Sequence, residues 1–226
     1  MLTSRSVGAL VRALVLMLAA IAVSTVAVVA RAAQPDSATT TLDKYFDGLQ
    51  TLRAQFTQTV KDARGKSLDT TSGTLVVVRP GKFRWEVSPQ SGSGGQLLVA
   101  DGKNVWFLDK DLEQVTVKPA DAALSSTPAM LLSGAANLRD SFTLTPAGSR
   151  EGLDWVLVEP RTPEADFRRA LFGFGKGDLR KMIIDDRLGQ TATIELSRVE
   201  RNVKVDPQEV TFTPPKGADV IGTPAQ

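Results

Sequence analysis

Apolar residues recur at every second position along much of this chain. Leu52, Ala54, Phe56 and Val60 alternate with Arg53, Gln55, Thr57 and Thr59, the pattern of a strand with one buried face. A hairpin follows over 73–87, where two β-branched or aromatic runs meet at Arg79-Pro80-Gly81-Lys82, with Pro at the second and Gly at the third position of a tight turn. Strand alternation puts Leu75, Val77 and Arg79 on one face of its first strand and Phe83, Trp85 and Val87 on one face of its second. If both sets face the same side of the sheet, a permanent cation stands at the rim of an apolar wall. The plainer reading is a solvated turn arginine, since surface charges are the rule.

The meander continues through Leu97–Ala100, Val105–Leu108 and Val115–Val117, with turns at Asp101-Gly102 and Lys110-Asp111, and Pro119 ends it. Strands resume at Phe142–Thr145, Trp155–Glu159, Arg168–Phe174, Lys181–Asp185 and Thr191–Val199, and Pro214-Pro215 after Phe212 stops the final pairing. Short strands at intervals of roughly 8 to 12 residues predict an antiparallel sheet that curls toward a barrel. Two stretches break the period. Thr41 is placed to cap a first helix with Leu42, Tyr45, Phe46 and Leu49 along one side and Gly48 near its end, a core helix or a lid. Asp121 to Leu138 reads as short Ala- and Leu-rich helical pieces, with Thr127 as a cap and Pro128 at a first helical position.

The N-terminus changes the compartment. Arg5 and Arg12 precede a mostly apolar run over 13–30, and Ala30-Arg31-Ala32 offers the small residues a signal peptidase needs. Residues 1–32 read as a secretory signal cleaved after Ala32 or Ala33, although the length of the run also fits an uncleaved anchor. Removing them takes Arg5, Arg12 and Arg31 and leaves 24 cations against 25 anions, so the sequence pI of 9.0 belongs largely to the leader. It is no argument for nucleic acid or anionic lipid. About 194 remaining residues, 33–226, suit a single domain.

The chain has no Cys and no His. That excludes disulfides, thiolate chemistry, a Ser-His-Asp triad and the common zinc sites. Asp185-Asp186 sits at a strand end, where neighbours point to opposite faces, so it reads as turn acids rather than a catalytic pair. The glycines of Ser88–Gly95 do not join a strand to a helix as a phosphate-binding loop would. No cofactor is called for, and nothing marks the chain as an enzyme.

Four short elements, in this order, carry a resemblance: Arg79-Pro80-x-x-Phe83-x-Trp85, Asp101-Gly102-Lys103-x-x-Trp106-Phe107, Thr127-Pro128-x-Met130-Leu131, and Phe212-Thr213-Pro214-Pro215-Lys216-Gly217. The chain resembles the LolA family of periplasmic outer-membrane lipoprotein carriers from about Leu42 to Val220. The resemblance implies a mainly β fold with α-helices: an incomplete, strongly curved antiparallel β-barrel (a half-barrel) covered by a lid of short helices. It implies a periplasmic, monomeric carrier that binds no nucleic acid. Acylated lipoproteins are its cargo, an inner-membrane Lol ABC transporter its source, and an outer-membrane receptor, LolB where present, its destination. By the same resemblance Arg79 is the lid latch. Val77, Phe83, Trp85 and Leu98 form the acyl-binding wall, and Phe46, Met130 and Leu132 belong to the lid. Ala129 is a departure, since a bulkier lid residue is expected there, and the tail beyond Val220 leaves an extra C-terminal strand open. A lipoprotein-sensing module of an envelope-stress pathway is the alternative with the same fold, and it is expected to carry a second domain. The receptor relative is expected to need the lipid-bearing Cys that this chain lacks.

Overall fold

The computed structural model describes residues 40–89, 94–120, 128–134, 138–163, 165 and 167–225. The expected leader over 1–32 and the expected cap Thr127 lie outside these residues. So do the side chains of Ala129 and Met130.

Before the helical pieces come α1 (Thr41–Phe46), β1 (Thr51–Lys61), β2 (Ser67–Val78), β3 (Lys82–Pro89), β4 (Gln96–Asp101), β5 (Asn104–Asp109) and β6 (Gln114–Pro119). Then follow α2 (Pro128–Ser133), α3 (Leu138–Ser141), β7 (Phe142–Arg150), β8 (Leu153–Pro160), β9 (Phe167–Gly175), β10 (Asp178–Asp186) and β11 (Thr191–Arg201). A 3₁₀ turn, Pro207–Val210, and β12 (Asp219–Ile221) complete the chain. All strands join one 12-stranded sheet in the order β12-β6-β5-β4-β3-β2-β1-β11-β10-β9-β8-β7. The sheet does not close: β12 and β7 are its edges.

It is nonetheless strongly curved. Phe83 on β3 and Val156 on β8 belong to one buried cluster, although six interstrand steps separate their strands. In a flat sheet those steps of about 4.8 Å would hold them roughly 29 Å apart. Curling gathers the inner faces of β1–β3 and β8–β10 around one core, and α1, α2 and α3 lie against it. This is the expected half-barrel with short helices.

Three local expectations are corrected. Thr40, not Thr41, caps α1. Its Oγ1 accepts from the Asp43 N–H at 3.2 Å, and the Asp43 carboxylate accepts from the Thr40 N–H at 2.6 Å, a reciprocal capping box. The sheet is not wholly antiparallel, because β12 runs parallel to β6 with Val220 opposite Val115. Finally, the prolines at 214–215 do not stop the last pairing. The chain leaves β11 and crosses the convex face, where Phe212 packs on Trp106 at a ring distance of 5.5 Å. It pairs again only beyond the prolines, which supplies the C-terminal strand that was left open.

That crossing explains the apolar run at 97–100. Leu97, Val99, Trp106, Leu108, Val115 and Val117 form a second buried cluster on the convex face, under Phe212 and Ala218. The other parity, Leu98 and Ala100, faces the main core.

Candidate functional site

The concave wall is built by register. Leu75 lies opposite Trp85 and Val77 opposite Phe83, so all four share one face of the β2–β3 hairpin. Leu98 of β4 lies opposite Trp85 and extends the row. Val77 and Phe83 are fully buried, whereas Trp85 and Leu98 are half-buried and pack against the same core. From the lid side, Phe46, Leu131 and Leu132 join that cluster. The structure therefore brings together Val77, Phe83, Trp85, Leu98, Phe46 and Leu132. The side chain of Met130 is outside the described residues, although its backbone lies in α2.

Sequence reasoning missed Leu42, Tyr45, Leu49 and Phe56 as parts of this surface, though helical spacing and strand alternation had singled out each of them. Phe56 stacks on Trp85 with ring centroids 4.2 Å apart. Tyr45 packs on Phe174 at 5.3 Å and lies under the Arg201 guanidinium at 5.3 Å. Burial pushes the Tyr45 hydroxyl up to about 12. Since Tyr45 packs on β9 while Phe46 meets the β2–β3 turn, α1 bridges the two arms of the half-barrel.

The turn at 79–81 is hydrogen-bonded to the ends of α1 and α2. The Arg79–Pro80 bond is cis and Gly81 has a φ of 79°, with Val78 still paired to Lys82. The Arg79 N–H donates to Gln50 O at 2.8 Å, and the Gly81 N–H to Ser133 O at 2.9 Å. Arg79 Nη1 donates to Phe46 O at 2.8 Å, while its guanidinium lies 4.9 Å from the centre of the Phe46 ring. On its other side it packs against Gly134. A Cβ there would sit 2.3 Å from Arg79 Nε, so only glycine admits the guanidinium this close. Arg79 thus occupies the space between the C-terminal ends of α1 and α2, where helix carbonyls lack intrahelical partners. Burial lowers its pKa, in keeping with a partly desolvated cation rather than a solvated turn residue.

A second tie joins α1 to α3. Arg139 Nη2 donates to the Asp43 carboxylate at 2.7 Å. Burial alone would raise the Asp43 carboxyl, but hydrogen bonds from Arg139 and Thr40 outweigh it and hold it below its ordinary value. The stabilisation is therefore complete above an unfolded value near 3.8 and fades as pH falls through the lower folded value. Backbone NMR shifts over 41–46 should be constant from neutral pH down to about 4 and then move in stronger acid, with Asp43→Asn abolishing the titration. A wild-type transition at or above the ordinary value near 3.8 would contradict the tie.

The convex face is different in kind. A cleft of about 500 Å³ there is lined by Arg53, Arg84, Glu86, Arg198, Glu200 and Glu209 among others. Arg53 and Glu209 are paired at 2.9 Å, as are Lys110 and Glu86 at 2.8 Å. Such a lining does not suit an acyl chain, since burying these charges against hydrocarbon is costly. Asp185 and Asp186 likewise have separate structural partners. Asp185 accepts from Arg169 at 2.6 Å and Thr191 at 2.8 Å, and Asp186 accepts from the Leu188 and Gln190 N–H groups of its turn.

The family model for the outer membrane lipoprotein carrier protein LolA matches residues 47–213. The chain belongs to the LolA family. Among relatives, the outer-membrane lipoprotein carrier protein of Dechloromonas aromatica is 42% identical over 181 residues, spanning 80% of this chain and 86% of the relative. The one from Nitrosospira multiformis is also 42% identical over the same coverage. A solved structure of a LolA superfamily protein from Nitrosomonas europaea aligns with 12% identity and a TM-score of 0.46, covering 77% of this chain and 99% of that one. The LolA match takes in the hairpin with Arg79 and the whole β1–β11 sheet. It leaves α1, with Phe46, and β12 outside its bounds.

Proposed function

We propose that this chain is a non-catalytic periplasmic carrier of outer-membrane lipoproteins. It takes acylated cargo from an inner-membrane Lol ABC transporter, shelters the acyl chains against the concave wall, and delivers them to an outer-membrane receptor such as LolB. One observation carries this reading: an open half-barrel whose inner face is apolar and covered by helices tied down through a half-buried arginine.

Physical chemistry explains why such a device is needed. Each methylene in water costs about 0.8 kcal/mol, so several long acyl chains face a penalty of tens of kcal/mol in an aqueous gap. A deep permanent cavity would hold them too firmly to be released without an energy source. Here Phe46, Leu131 and Leu132 cover the wall in the closed state. Cargo replaces one apolar contact with another and also displaces the Arg79 bond to Phe46, so its net affinity is moderate. Val77, Phe83, Trp85 and Leu98 receive the chains, and Phe46, Met130 and Leu132 move aside.

The test is to purify the protein gently from the periplasmic fraction and record its native mass spectrum. A fraction should carry lipoprotein or acyl lipid, and depletion of the protein should strand lipoproteins at the inner membrane. Normal sorting after complete depletion would overturn the reading.

A further inference from the structure

Across β1, β2 and β3 the concave face runs through three apolar rows before a polar pair interrupts it. Next to the lid stand Leu52, Val77 and Phe83, and then Ala54, Leu75 and Trp85. The third row is Phe56, Gly73 and Val87. Gly73 has a specific reason to lack a side chain: a Cβ there would come within 2.5 Å of the Phe56 ring and would collide with Glu86 O. The Phe56 ring fills that space and stacks on Trp85, forming an aromatic shelf across the wall.

Beyond the shelf Gln58 lies opposite Thr71, with Ile194 on the far side of Gln58. Thr71 is only 7% exposed, and its Oγ1 is buried with no hydrogen-bond partner among the described residues. A buried hydroxyl without a partner destabilises the protein that holds it. Packing alone does not call for it, because valine has the same shape. From Thr71 to Val77 the strand covers about 20 Å at 3.3 Å per residue, a length comparable with an extended long acyl chain.

We propose that Thr71 and Gln58 form a polar subsite for the ester or amide carbonyls at the head of a bound acyl chain. The Thr71 hydroxyl donates to one of those oxygens, with the Gln58 side chain as its polar neighbour, while the hydrocarbon runs over the Phe56–Trp85 shelf toward Phe83. The subsite rests on the reading of the concave face as the acyl site, and adds direction to it. The head lies at the end away from the Arg79 turn and the tail under the lid.

Two probes separate the subsite from the apolar wall: a lipopeptide with ester-linked palmitoyl chains, and its ether-linked analogue without the carbonyls. Wild type should bind the ester about fivefold to tenfold more tightly, the worth of one net hydrogen bond. Thr71→Val should lose that preference, keep its affinity for the ether probe, and melt no lower than wild type. Thr71→Ser, which keeps the hydroxyl, should retain the preference and guards against a fold defect. A preference that persists in Thr71→Val, or equal binding of both probes by wild type, overturns the subsite while leaving the acyl wall standing. Wild type that binds neither probe overturns the acyl wall and the subsite with it.

Discussion

Replacing Phe83 with alanine is expected to lower stability by about 3–5 kcal/mol, the usual range for truncating a buried phenylalanine. Phe83 is fully buried, lies opposite Val77, and belongs to the cluster that holds Phe46, Leu131 and Leu132. Its role in the empty carrier is thus to join the wall to the lid. A carboxylate at this position would test folding before it tested cargo. Trp85 and Leu98 are the better binding probes, because both remain half-buried against the same core. Trp85→Ala should cost less stability than Phe83→Ala yet weaken acyl binding more in proportion. Urea unfolding at constant slope gives the stabilities, and titration with an acyl probe gives the affinities. An unchanged unfolding midpoint for Phe83→Ala would refute its place in the wall-to-lid core.

Arg79→Leu is expected to load cargo normally and to fail at release. The substitution removes the Nη1 bond to Phe46 O and the stacking over the Phe46 ring, while the backbone bonds from the turn to Gln50 and Ser133 remain. A hydrogen bond from a charged group is worth about 1.5–3 kcal/mol, which favours the open state by a factor on the order of 10 to 100. Bound cargo gains what the closed state loses. Arg79→Lys should rescue poorly, since an ammonium lacks the planar fork that reaches a carbonyl while its carbon centre sits over a ring. Gly134→Ala offers an independent route to the same state, because its Cβ would displace the guanidinium without touching the charge. Isolating each variant from the periplasm and weighing its bound lipoprotein decides the matter. Less cargo than wild type on Arg79→Leu would make Arg79 a cargo contact and end the latch.

How much of this was legible depends on the range of the interaction involved. Alternation grouped Leu75 with Val77 and Phe83 with Trp85 because the strand period is local. The position of Pro128 marked the start of α2 for the same reason. The tight turn read at 79–82, however, would pair Arg79 with Lys82, whereas the structure pairs Val78 with Lys82 across a longer turn. That one-residue difference in register is what brings both sets onto one face. The cap of α1 was displaced by one residue, from Thr41 to Thr40. Adjacent threonines offer the same chemistry, and only the return bond from Asp43 distinguishes them.

The sequence by itself therefore determined a mainly β chain, a hairpin over 73–87 with an apolar side to each strand, helical interruptions on either side of β1–β6, and the family. The shared apolar face of the hairpin came from the observed register. The sequence left open whether Arg79 was solvated, because burial depends on what covers a turn, and the covering helices lie at Phe46 and Ser133–Gly134, far away in the chain. It also left open which side of the 97–100 run faced the core, since both sides are buried there, one by the lid side and one by Phe212 and Ala218. The parallel pairing of β12 was beyond local pattern for a like reason. Three residues carry too little periodicity to name a partner, and it is the path of the preceding tail over the convex face that delivers them to the open edge of β6.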